Sequence, residues 1–205
     1  ALAWWWYFHD AAAEGLAWCS ECLALALAAP LRARVLLAAA RAAVHGGQLA
    51  AGLDWATQAS QLARQTGDTD TLAQGLLLQA IAVVVHAPGQ AAALMAECVG
   101  HFAALGQAWD LALATALQGM VLAWHPGTED AAEAALADAR ERFLAMDDAW
   151  CLATTTRHLA RTTARRGHVA RSRQYACETL AAAVRAGFSL LEAGARHHLA
   201  QLAWA

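Results

Sequence analysis

Apolar residues recur along this chain at helical spacing, in blocks that end on a glycine or an aspartate. Within 47–67, Leu49, Leu53, Ala56, Ala59, Leu62 and Ala63 share one face, and Gln58, Gln61, Arg64 and Gln65 lie on the other. The same order of turn, apolar helix and closing residue returns at 88–106, 127–147 and 167–187. Gly67, Gly106, Asp147 and Gly187 therefore stand about 40 residues apart, the period of a helical solenoid. A second helical block fills the space between each closing residue and the next turn. The pattern predicts helices over 11–28, 31–45, 48–66, 69–86, 90–105, 108–125, 129–146, 149–166, 168–186 and 189–204, preceded by an aromatic one over 2–9.

Composition narrows this further. The chain of 205 residues is rich in alanine and leucine, and none of it alternates with the two-residue period of a strand, which makes the fold class all-α. Its three prolines, Pro30, Pro88 and Pro126, each fall between two helical blocks, where a missing N–H is tolerated. A formal net charge of −3 predicts neither direct nucleic-acid binding nor attachment to an anionic membrane. The apolar runs are broken by Arg32, Arg34, Gln79 and His86 before they could span a bilayer. There is no lysine, so a Walker A loop, a Schiff-base enzyme and a class A β-lactamase site are all excluded. Neither an initiator methionine nor a cationic leader precedes the first helix. The expectation is an excised piece of a longer cytoplasmic protein.

Two stretches carry a family resemblance. The run from Leu2 through Trp4, Trp5, Trp6, Tyr7 and Phe8 to Glu14-Gly15-Leu16-Ala17-Trp18 resembles the first repeat of the tetratricopeptide-like region in bacterial STAND-type, LuxR-type transcriptional regulators. Leu105-Gly106-Gln107-Ala108-Trp109 through Gly119 is similar to that family's recurring L-G-D-x-W motif. The resemblance implies a right-handed α-solenoid of antiparallel helix pairs in tetratricopeptide-like repeats of about 40 residues. One repeat domain would cover 1–205, with units near 1–28, 31–67, 69–106, 108–147 and 149–187 and a partial unit over 189–205. It also implies a sensor and interaction superhelix that binds a protein or small-molecule effector in its concave groove. An ATPase and winged-helix module would dock against Trp4–Phe8. The alternative is a free-standing tetratricopeptide-like adaptor that binds peptide segments.

Candidate chemistry is sparse. Cys19 and Cys22 form the one C-x-x-C pair, with no second pair or histidines at ligand spacing, so core thiols are expected and no metal or other cofactor. His45, His86 and His125 recur where first helices end and fit a cation or hydrogen-bond donor satisfying terminal carbonyls. Thr128 is placed to cap the helix after it. Arg157, Arg161 and Arg165 form an i, i+4, i+8 stripe, which reads either as an anion site or as a solvated face paired with the acidic helix Glu129–Glu141. Aligned on their turns, Leu77, Ile81, Met120 and Trp124 fall where first helices line a groove, or else rotate into the core between helices. With the three arginines they are the candidate ligand-binding residues. No hydrolase, metalloprotease or paired-carboxylate motif occurs, so a non-enzyme is expected.

Overall fold

The computed structural model describes residues 12–204; the proposed docking segment Trp4–Phe8 lies outside the described residues. Among the described residues there are ten α-helices and no strand. They fall into two compact units divided after Gly106. The first holds α1 (Ala12–Leu23), α2 (Ala29–His45), α3 (Leu49–Thr66), α4 (Thr69–Val83) and α5 (Pro88–Leu105). The second holds α6 (Ala108–Leu122), α7 (Glu129–Ala145), α8 (Ala149–Arg165), α9 (Val169–Ala186) and α10 (Ser189–Trp204). Within each unit every helix packs on the next. Alternate helices also meet: α2 touches α4 in the first unit, and α8 touches both α6 and α10 in the second. That is the contact pattern of stacked helix pairs.

The closing residues have a common backbone cause. Gly67, Gly106 and Gly187 all adopt positive φ, and so does Asp147 at φ 53°. Reversing a helix in a short turn needs one left-handed residue, which glycine supplies without a steric penalty and aspartate tolerates. The following helices are capped by Asp68, which accepts from the Thr71 N–H at 3.1 Å, and by Asp148, which accepts from the Cys151 N–H at 2.9 Å.

Several helix ends differ from the pattern's reading. The chain leaves α1 at Leu23 and is extended at Ala28, so that Pro30 sits in the first turn of α2, where its missing N–H is no loss. α4 stops at Val83 and α6 at Leu122, each ahead of a proline turn, which leaves His86 and His125 beyond their helices. His45 does end α2, but burial, with Arg41 second, pushes its pKa down to about 4. It is neutral at neutral pH and is no charge on the helix dipole. Thr128 makes no cap bond to α7. Its hydroxyl is directed instead at the Leu122 and His125 carbonyls, 2.6 and 2.9 Å away, and closes the end of α6.

Alanine dominates both cores. Ala40, Ala56 and Ala59 pack with Leu36, Leu37 and Leu78 in the first unit; Ala112, Ala116, Ala139 and Ala183 pack with Phe143 and Leu152 in the second. Cys19 is buried, and burial raises its thiol pKa to about 11, so it stays protonated. Among the described residues no group of three or more His, Cys, Asp or Glu is placed to hold a metal ion.

Small side chains let neighbouring helices approach closely, and at Gly119 even a methyl group does not fit. A Cβ there would lie 2.7 Å from Leu136 Cγ and 3.0 Å from its backbone nitrogen, whereas one at Gly100 would meet nothing within 4 Å. Glycine to alanine inside a helix stabilises by about 1 kcal/mol where space allows, and overpacking costs about 1–3 kcal/mol. Gly100→Ala should therefore raise the urea midpoint and Gly119→Ala lower it. A rise in both would show that the α6–α7 contact is looser than described.

Candidate functional site

The arginine stripe lies on α8, in the second unit. The other face of this helix, from Cys151 and Leu152 to Thr163, is buried. Its threonines are accommodated by local bonds: Thr156 and Thr163 donate to the Leu152 and Leu159 carbonyls at 2.8 Å, and Thr179 of α9 donates to Thr156 at 2.9 Å. Hydroxyls that bond one turn back can be buried at little penalty. The amino end of α8 is tied to α6, because Trp109 Nε1 donates to the capping Asp148 carboxylate at 2.9 Å. A helix so fixed presents the opposite side, with Arg157 and Arg161, in a defined orientation.

Basic residues around α8 divide into two sets. Arg166 pairs with Asp130 and, at 2.6 Å, with Glu133; Arg171 also pairs with Glu133. The acidic helix α7 thus takes Arg166 and Arg171, which flank the stripe, and neutralises none of its three members. Arg165 donates to the Ala123 carbonyl at 2.6 Å, so it caps the end of α6, a neighbouring helix, and not its own. Arg157 and Arg161 have neither an ion pair nor a hydrogen-bond partner among the described residues, and the Arg157 Nε is buried without one. Burial and the nearby Arg161 hold the Arg157 pKa below its usual value.

Two cavities flank the helix. One, of about 290 Å³, lies among α8, α9 and α10 and is lined by Arg157, Arg161, Thr179, His197, His198 and Gln201 over a floor of alanines. No carboxylate lines it. The second, wider, of about 520 Å³, is formed where α6 ends, α7 begins and α8 ends. Trp124, 68 % exposed, and Arg165 line it, along with His125, Arg166 and the acids Glu129 and Asp130.

The candidate residues are therefore distributed. Arg157 and Arg161 share one cavity, and Trp124 and Arg165 share the other. Met120 packs against the second unit's core. Leu77, 3 % exposed, and Ile81, partly buried, belong to α4 in the first unit. Their positions carried no sign of His197, His198, Thr179 and Gln201, which only the packing of α10 across α8 and α9 brings to the arginines.

Stacked helix pairs with an alanine-rich core and short left-handed turns define the class: an all-α, tetratricopeptide-like helical-repeat protein, an α-solenoid by fold. Among solved structures, the chain is similar to a Rap protein complexed with competence and sporulation factor. The TM-score is 0.84 at 14% sequence identity, over 98% of this chain and 60% of that one. That likeness is one of fold, and the chain spans about three fifths of the Rap chain's length. No family model matches the sequence, and no curated protein matches it.

His158, on the same helix, has its pKa lowered to about 4 by burial first and then by Arg157, Arg161 and Arg165. A histidine whose folded pKa is depressed contributes stability above its unfolded value near 6.5, and that contribution is lost as pH falls towards 4. Urea midpoints should fall between pH 6.5 and 4, and His158→Gln should flatten part of that fall. An unchanged slope would mean that His158 is hydrated.

Proposed function

We propose that the chain is a non-catalytic sensor and interaction module that binds an amphipathic, acidic ligand along α8, either a segment of a partner protein or an effector. The observation that carries this reading is Trp124, two-thirds exposed beside Arg165 at the mouth of the wider cavity. An exposed tryptophan with a fixed cation beside it suits a ligand with an apolar face and a negative edge, since burial provides affinity and charge fixes orientation. Arg157 and Arg161 extend the same face with positive charge that no side chain neutralises. Met120 then acts as packing that holds α6, and Leu77 and Ile81 as packing of α4 within the first unit.

The wider setting we infer is a cytoplasmic bacterial regulator of STAND type, in which this module reports its ligand to ATPase and DNA-binding modules elsewhere in the parent chain. This rests on the sequence resemblance around Trp4–Trp18 and Leu105–Gly119. Among the described residues no helix is long and apolar enough to cross a membrane. A second reading, a free-standing adaptor, is favoured by the likeness to a Rap protein complexed with a separate factor. An upstream P-loop in the parent reading frame favours the first, and its absence the second.

A synthetic helix with one leucine face and one glutamate face, titrated calorimetrically, tests the surface. Trp124→Ala should weaken binding about 30-fold, the equivalent of roughly 2 kcal/mol. Arg161→Ala should weaken it less, and its effect should fade as salt rises. If both variants remain helical and bind as the parent does, the surface is wrongly assigned.

A further inference from the structure

The smaller cavity beside α8 has the composition of an anion site, and the rest of the molecule shows why that is unusual. All fourteen cationic side chains of this lysine-free sequence are arginines within the described residues. Eight of them face carboxylates: Arg34, Arg64, Arg140, Arg142, Arg166, Arg171, Arg185 and Arg196. Arg41 donates to the Gln74 side chain at 2.8 Å. Arg32, Arg165 and Arg173 donate to backbone carbonyls. The two that remain, Arg157 and Arg161, are one helical turn apart and line the same cavity.

Two guanidinium groups left unpaired at so short a separation repel each other, and a buried Nε without an acceptor loses hydration without replacement. Elsewhere the chain supplies an acceptor for such groups, and the acids of α9 and α10 are committed to other arginines. Glu192 of α10 is committed to Arg196 at 2.7 Å, and Glu178 of α9 to Arg140 at 2.7 and 2.8 Å. The cavity walls add no acid. Ser172 donates to the Ala160 carbonyl at 2.8 Å, so the His198 Nε2 at 2.9 Å from its oxygen carries the proton of that contact. Gln201 and Thr179 lie alongside.

We propose that this cavity binds the oxyanion group of a compact ligand, a carboxylate or a phosphate, bridged by Arg157 and Arg161. The inference deepens the proposed function and rests on α8 as a ligand face. Arginine matches planar or tetrahedral oxyanions through paired N–H donors, and two of them a turn apart can hold one group from two sides. The volume of about 290 Å³ corresponds to about ten water-sized positions, enough for a small organic anion or one acidic side chain with its neighbour. Two sources offer this chemistry: a free small anion, or a glutamate or terminal carboxylate on a partner peptide.

The full 205-residue chain, labelled with nitrogen-15, separates these sources. Inorganic phosphate, citrate and a hexaglutamate peptide are titrated separately at constant ionic strength, while the arginine Nε–H signals are followed. The expected result is saturable movement of the Arg157 and Arg161 signals with at least one probe, with a Kd on the order of a millimolar or tighter. Phosphate or citrate alone would identify a free anion as the source; the peptide, with competition by citrate, would identify an acidic segment. Arg161→Gln should reduce affinity at least tenfold and, being exposed and unpaired, should leave helicity unchanged; Arg142→Gln should leave affinity intact. No saturable movement with any probe, or unchanged affinity in Arg161→Gln, would overturn the inference. If the anions fail while the leucine–glutamate helix still binds through Trp124, the cavity inference falls alone. If the anions bind and that helix does not, the wider reading falls and the cavity stands.

Discussion

Close packing of alanine faces is the constraint on which the rest of this protein depends. An alanine core has little side-chain volume to interlock, so each helix gains stability only by lying close along its neighbours. Gly119 against Leu136, and Gly75 where an added Cβ would lie 2.3 Å from Ser60 Oγ, mark places where a neighbouring helix leaves no room for a methyl group. Close, parallel stacking also places equivalent positions of successive helix pairs side by side. The polar ties follow from that geometry and span about one repeat: Arg41 to Gln74 and Arg64 to Glu97 in the first unit, Trp109 to Asp148 and Arg140 to Glu178 in the second.

These ties are unequal. Exposed pairs such as Arg64–Glu97 contribute little in water. The half-buried Arg140–Glu178 pair is different, because two parallel bonds of 2.8 and 2.7 Å join α7 to α9. Hydrogen bonding to Glu178 is the main cause that raises the Arg140 pKa. Against this background Arg157 and Arg161 stand out by their lack of a partner, and they do so on a helix whose other face is fixed by capping and by satisfied threonines. Unmatched charge on a rigid element is what a binding surface requires, since nothing has to be broken or reordered when the ligand arrives.

The helices were legible in the sequence because the period of apolar residues and the left-handed closing residues report the same turns independently. Asp147 is instructive: it interrupts the run of glycines, yet its φ of 53° places it in the same conformation as Gly67. The ends near Pro30, Pro88 and Pro126 were less legible, since helical composition continues past the point where the chain turns. His45 does end its helix, but whether it serves there as a cation or as a neutral donor depends on its surroundings, Arg41 among them, which the sequence pattern does not show. For the same reason the stripe could be seen but not its division. Which arginine caps α6 and which face α10 is decided by tertiary packing. So too is the arrival of His198, Thr179 and Gln201 beside them.

The central claim is that Arg157 and Arg161 serve a ligand at the expense of the fold, whereas Arg140 serves the fold. Urea unfolding of three variants in the absence of ligand tests it most directly. Residues kept for binding commonly reduce stability, and replacing an unpaired charge by an uncharged side chain of similar volume relieves mutual repulsion at both positions and, at the half-buried Arg157, desolvation as well. The account predicts that Arg157→Met and Arg161→Gln unfold at the same or higher urea concentration than the parent, and Arg140→Gln at a clearly lower one. A loss of stability in Arg157→Met and Arg161→Gln equal to that in Arg140→Gln would contradict it, because the two arginines would then be part of what holds the helices together.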